Sequence, residues 1–251
     1  MFPYHDENVT QRAALFTGGL IAINVLVWLL VQGAGAEYPL AWSVCELGLI
    51  PGELTGLVEP GTAFPIGPDM ACATDPGQPW QNILTSMFLH GSWMHLLGNM
   101  WFLWLFGNNI EDSMGRVRFL LFYLLCGTAA AAAQVLAKPD SIIPMVGASG
   151  AISGVMGAYL VLFPRVKVYT LVPIGIIPFS VALPAWSMLL YWMGLQLLGG
   201  LFSSLDGGGV AFWAHVGGFL AGLLLINLFV DRDRLEEHRM RAWRPRRERW
   251  R

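Results

Sequence analysis

The sequence predicts an all-α membrane protein, a bundle of six spanning helices with a long outward loop between the first two. Three observations predict it. Of 251 residues, 55% are hydrophobic and only 13% charged, with a mean hydropathy of +0.54, whereas soluble domains carry about 25% charged residues. The chain is divided into long charge-free stretches. Lys and Arg fall almost entirely on one side of the map those stretches define. The 11 Trp and 29 Gly fit the same class, since Trp sits at bilayer interfaces and Gly lets helices approach closely. Disorder, a disulfide-dense secreted scaffold and an ordinary cytosolic enzyme are excluded.

The spans follow in order. Ala13–Val31 is the first; a small-residue Ala34-Gly35-Ala36 pattern follows it, but the run is long enough to span and is read as retained. The second lies near Leu84–Phe106, within the charge-free region between Asp75 and Glu111. Phe119–Ala137 is the third and Gly147–Phe163 the fourth. Val168–Leu205 is too long for one helix and holds Pro173, Pro178 and Pro184, so the fifth is placed after the last of these, at Ala185–Leu205. Gly208–Val230 is the sixth. The chain therefore divides into a cytoplasmic N-terminus (1–12), a six-helix unit (13–230) and an Arg-rich tail (231–251).

Six spans put both termini on one side. That side holds Arg12, Arg116, Arg118, Arg165, Lys167 and nine Arg beyond residue 231, against Lys138 alone on the other. The positive-inside rule makes the termini cytoplasmic. The outward loop, 32–79, is acidic and lacks Lys and Arg. It contains Cys45 and Cys72, which are either a bridge or two separate buried thiols. Cys126 is read as packing inside the third span, His5 and His238 as solvated, and the Arg-rich tail as a topology signal rather than a lipid-binding segment.

Polar groups inside spans are costly and mark function. His90, His95 and Asn99 lie in the second, Ser149 opens the fourth and His215 opens the sixth. At 1.5 Å per residue, Ser149, His215 and His95 each lie roughly 22–24 Å from the inner boundary. Three separate segments thus bring Ser, His and His to one depth. Gly150-x3-Gly154 and Gly218-x3-Gly222 let spans four and six approach closely enough for Ser149 to reach His215. His95 and Asn99, four apart, share a helix face. His90, five before His95, would sit about 140° away and could not share a ligand with it.

These residue types suit nucleophilic catalysis. A serine hydroxyl needs an adjacent base, which His215 supplies, and the oxyanion needs donors, which Asn99, His95 and the Ser149 backbone N–H supply. No carboxylate lies at that depth, so a dyad is the economical reading. Residue 151 is Ala, which breaks G-x-S-x-G and disfavours an α/β-hydrolase.

The chain resembles the rhomboid intramembrane serine proteases, nearest the six-helix prokaryotic type. The resemblance rests on His90-x4-His95-x3-Asn99, Gly107-x3-Glu111-x3-Gly115-x2-Arg118, Gly147-Ala148-Ser149-Gly150 and Ala214-His215-x-Gly217-Gly218-x3-Gly222, in that order. It implies Ser149 as nucleophile, His215 as general base, His95 and Asn99 in the oxyanion hole, and His90 as structural. It also implies that Glu111 and Arg118 hold the cytoplasmic loop after the second span, and that no metal or cofactor is needed. Substrates would be transmembrane proteins cut near their outer end, and the membrane a prokaryotic inner membrane. The fifth span, with Trp186 and Trp192, would form a lateral gate. Two departures stand out: Trp80-Gln81 replaces a Trp-Arg pair, and Ser153 replaces a Tyr that stacks on the base in some relatives, so His215 needs another means of orientation. The competing readings are a non-catalytic rhomboid-like binder of membrane clients and a small transporter; the latter predicts repeated halves, which the sequence lacks. The bilayer is a partner and nucleic acid is not. Oligomeric state is not written in the sequence.

Overall fold

A segment in lipid must satisfy its backbone polar groups internally, and helices do so for most of this chain. The computed structural model describes residues 1–67, 70–75, 77, 79–174, 177–202 and 210–242. In chain order the first elements are β1 (Phe2–Asp6), α1 (Leu15–Leu30), α2 (Glu37–Leu47), α3 (Pro51–Thr55), β2 (Ala63–Pro65), β3 (Ala71–Ala73) and α4 (Asn82–Thr85). They are followed by α5 (Trp93–Phe102), α6 (Asn108–Met114), α7 (Arg116–Ala137) and α8 (Ser149–Leu162). The last are β4 (Lys167–Ile174), β5 (Ile177–Pro184), α9 (Ala185–Phe202), α10 (Phe212–Phe229) and α11 (Arg232–Ala242). Among the described residues, α7, α9 and α10 are long and apolar enough to cross a membrane, and α1 and α8 are shorter apolar helices. Residues 203–209, where the fifth expected span ends and the sixth begins, and the tail beyond 242 lie outside the described residues.

Two expectations are corrected. The second span is not one helix over 84–106. The chain breaks at Leu89–Ser92, and α5 starts where Ser92 Oγ accepts the His95 N–H at 3.1 Å. It then passes through a π turn, Leu103–Gly107, into α6. A charge-free stretch reports apolar surroundings, not an unbroken helix. Nor is the protein purely helical. Around the prolines at 173, 178 and 184, β4 and β5 form an antiparallel hairpin that β1 extends to three strands, in the order β1-β4-β5. Proline and β-branched residues disfavour helix there. Trp101 Nε1 donates to the Pro3 carbonyl at 2.8 Å, which ties this sheet to α5. Between α1 and α5, β2 pairs with β3, and Cys45 is bonded to Cys72 with their Cα atoms 5.7 Å apart.

The interior is built around α7, α8 and α10. Tyr123, Phe122, Val155, Tyr159 and Phe219 are buried at its centre. Glycines set the α8–α10 spacing: a Cβ on Gly218 would run into the Gly150 carbonyl, and one on Gly222 into the Gly154 carbonyl. Gly150 and Gly154 are in turn covered by Ala130 and Cys126 of α7.

The end bearing the termini is tied by polar groups. Glu111 accepts from the Phe16 and Thr17 backbone N–H groups at 3.1 and 2.7 Å and from Thr17 Oγ1 at 2.8 Å, so it caps α1. Arg118 pairs with Asp231 at 3.6 Å. Glu111 and Arg118 therefore fasten this end through different neighbours. His238 is wholly buried, not solvated as its place near the tail suggested. Its ring contacts Asp112 Oδ2 at 2.8 Å and Asn8 Oδ1 at 2.7 Å, docking α11 against α6 and the N-terminal segment. Burial works against ionised Asp112, but hydrogen bonds from His238, the Gln11 N–H and Arg12 outweigh it and hold this carboxyl below its ordinary range.

Asp6 is the opposite case. Burial pushes its carboxyl up to about 6, despite hydrogen bonds from Tyr159 at 2.5 Å and Asn109 at 3.0 Å. A raised carboxyl favours the folded state most below 3.8, and that contribution is lost as pH rises through about 6. The thermal midpoint of the wild-type protein is therefore expected to fall more steeply across that window than that of Asp6→Asn; equal slopes would exclude this role. Gly218→Val is expected to lower the unfolding midpoint in detergent by the equivalent of about 1–3 kcal/mol. Leu224→Val, on an exposed side of α10, is the control and should move it little.

Candidate active site

Ser149 is the first residue of α8, and the turn before it is set by Gly147, whose φ of +126° suits only glycine. A side chain at Gly147 would also press on His95 Nε2, 2.7 Å from its Cβ position. The Gly147 N–H donates to the Ser86 carbonyl at 2.8 Å, which fixes the approach. On α10, His215 is one turn before Gly218 and so meets α8 at the glycine contact. His215 Nε2 lies 2.8 Å from Ser149 Oγ.

The other ring nitrogen, Nδ1, lies 2.7 Å from Gln196 Oε1 on α9. An amide oxygen only accepts, so the proton sits on Nδ1 and leaves Nε2 free to accept from the Ser149 hydroxyl. Trp192, one turn earlier on α9, packs its ring 5.7 Å from the imidazole. Ser153 does not reach the base; its Oγ donates to the Ser149 carbonyl at 2.6 Å.

Across from Ser149, α5 contributes His95 and Asn99. His95 Nδ1 accepts the Gly91 N–H at 3.3 Å, which leaves Nε2 to carry the proton. Asn99 Nδ2 is buried without a hydrogen-bond partner among the described residues. Both residues line, with Ser149, His215, Trp192 and Lys138, a cavity of about 600 Å³. His90 does not line it. It is wholly buried, its backbone N–H and C=O held by Gln32 at 2.8 and 2.9 Å. Its ring lies 5.1 Å from that of His95, edge to face. The expected 140° separation fails because His90 precedes α5 and is not on its helix.

Ser149, His215, His95 and Asn99 are thus gathered at one cavity, with Gly150, Gly154, Gly218 and Gly222 in the helix contact behind them. Glu111 and Arg118 are at the opposite end, and Cys45 and Cys72 lie in the segment between α1 and α5. Two contributions escaped the sequence reading. Gln196 is the single amide in α9, a helix without charged residues, so the attention given to polar residues in the other spans would have found it. Gln134, on α7, accepts the Ala214 N–H at 3.3 Å and fastens the start of α10. Chemically, the arrangement offers a hydroxyl nucleophile, a base with its acceptor nitrogen facing it, and two donors for an oxyanion.

Comparison with known proteins agrees in kind. A family model described as the rhomboid domain matches residues 76–232. Over 147 residues, 57% of this chain, it is 31% identical to Rhomboid protein 1, mitochondrial, of Saccharomyces cerevisiae. It is 32% identical over 57% of its length to Rhomboid-like protease 5 of Toxoplasma gondii, and 41% identical over 32% to Rhomboid protease GluP of Bacillus subtilis. The matched stretches make up 40%, 15% and 15% of those three proteins, so the chain spans well under two thirds of the relatives it matches. The relatives include a mitochondrial and a bacterial protein and do not single out the prokaryotic inner membrane expected from the sequence.

If Ser149 acts as an acyl-transfer nucleophile, replacing Asn99 with Leu is expected to slow its turnover by roughly 100-fold with KM little changed. Unchanged turnover in steady-state assays would remove Asn99 from the oxyanion hole.

Proposed function

The chain belongs to the rhomboid family, and from that premise we propose that it is an intramembrane serine endopeptidase working through a Ser149–His215 dyad. The observation that carries this reading is the 2.8 Å contact between Ser149 Oγ and His215 Nε2 in a cavity that also holds the unpaired Asn99 Nδ2. Ser149 Oγ attacks the scissile carbonyl carbon while its proton passes to His215 Nε2. The carbonyl oxygen becomes an oxyanion, held by Asn99 Nδ2, His95 Nε2 and the Ser149 N–H. His215 then returns the proton to the departing amine, leaving an acyl-enzyme. Water, deprotonated by the same imidazole, releases the second product and restores the serine.

The substrates in this reading are transmembrane proteins, cut near the extracytoplasmic end of their span. Six spanning segments within residues 13–230 form the working unit, with the chain between α1 and α5 as its outward loop and both termini cytoplasmic. The acidity of that loop and the Arg-rich opposite end support this orientation. A substrate helix bonds its own backbone and resists attack, so the cleaved segment has to unwind, and α9 is the helix proposed to yield for its entry.

Ser149→Ala and His215→Ala are each expected to abolish cleavage of a single-span reporter in liposomes without lowering expression; full activity in either rejects the dyad. Replacing Gly or Pro near the outer end of a cleaved span with Leu should slow its cleavage, and an unaltered rate would reject the unwinding requirement.

A further inference from the structure

The hydrogen bond on the far side of the base has a role the dyad does not include. We infer that Gln196 is a positioning residue: its side-chain oxygen fixes the tautomer of His215 and makes the orientation of the base depend on α9 being docked. The inference deepens the proposed reading and rests on it for the catalytic consequence, though not for the tautomer.

Three features carry it. Gln196 Oε1 and Ser149 Oγ contact opposite nitrogens of one imidazole, at 2.7 and 2.8 Å, so the ring is held at both ends. If Nδ1 lost its acceptor, the proton could move to Nε2, and the ring would then donate toward Ser149 rather than accept from it. Second, Trp192 and Gln196 are four residues apart and share a face of α9, so a single helix supplies both a tilted ring contact and the hydrogen-bonding contact. Third, α9 is the least buried of the three long apolar helices among the described residues, with Leu190, Leu195, Leu197 and Leu201 exposed. The base is therefore oriented by the helix with the least packing to hold it, and a displacement of α9 would release the imidazole.

The choice of an amide also has a physical reason. A carboxylate here would add a buried charge at membrane depth, whereas an amide oxygen orients the ring without one. The cost is that Gln196 stabilises the protonated imidazole less than a carboxylate would.

The test uses the full chain in lipid nanodiscs. Gln196→Leu is expected to lower kcat by about 10- to 100-fold with KM within about twofold. Gln196→Glu restores the acceptor; it should recover most of kcat at high pH and move the acid limb of the pH–rate profile upward by about one unit, because a nearby carboxylate favours imidazolium. A Leu variant with wild-type kcat overturns the role, as does a Glu variant that matches the Leu variant in both rate and profile. Imidazole 15N chemical shifts of His215 read the tautomer without any cleavage. Wild type should show the proton on Nδ1 and Gln196→Leu a mixture; the same tautomer in both overturns the inference. These shifts are informative even if the wild-type chain cleaves no reporter, an outcome that would count against the proteolytic reading alone.

Discussion

Two helices can share a proton through their side chains only if their backbones come close, and here glycines set that distance, Gly218 and Gly222 on α10 and Gly157 on α8. Lipid offers no hydrophobic drive for helices to associate, so contact depends on packing of small residues and on polar bonds between helices. Gly150 opposes Gly218 and Gly154 opposes Gly222: a methyl group on Gly218 or Gly222 would collide with the opposing carbonyl, while the Cβ positions of Gly150 and Gly154 turn toward α7. Ser149 precedes the first of these glycines, and His215 lies one turn before its partner. The hydroxyl and the imidazole therefore meet because the helices do. With ordinary side chains at these positions the axes would stand about 8–10 Å apart, and a 2.8 Å contact between such short groups would be lost.

Hydrogen bonding and position in the cavity together set Asn99 apart from the scaffold. Most buried polar side chains bond locally or tie one segment to another. Asn24 Nδ2 donates to the Leu20 carbonyl, Gln32 holds His90, Glu111 caps α1 and Gln134 anchors α10. Several buried polar atoms among the described residues lack a partner, including Tyr123 Oη, Trp28 Nε1 and both His90 ring nitrogens; Asn99 Nδ2 is the one whose residue lines the cavity with Ser149. Such an unmet donor costs about 1–3 kcal/mol, and an oxyanion formed at Ser149 would satisfy it. The donor is thus more favourably placed once charge has developed than before, which is the condition for lowering a barrier.

Much of this was legible in the sequence, for identifiable reasons. Charge-free stretches located α1, α7, α8, α9 and α10 because the cost of burying charge in lipid is large. Depth counting aligned Ser149 with His215 because helical rise is constant. The same counting misplaced His90, since it assumes an unbroken helix and the Ser92 cap starts α5 three residues after it. The β1-β4-β5 sheet was not foreseen: its pairing joins residues 2–6 to residues 168–171, a contact no local pattern announces. His238 followed the same logic, as its burial depends on Asp112 and Asn8 from distant parts of the chain. Gln196 was in plain view, an amide in an apolar helix, but its partner belongs to another helix and only the packing reveals it.

The central claim is that Ser149 is a nucleophile activated within the bundle. Peptide mapping by mass spectrometry after treatment with a fluorophosphonate measures this most directly, because the reagent bonds to an activated serine and stays there. The account predicts a single adduct on the peptide containing Ser149, lost in His215→Ala protein that is otherwise folded. An unlabelled Ser149, or an adduct that forms equally well without His215, would contradict it.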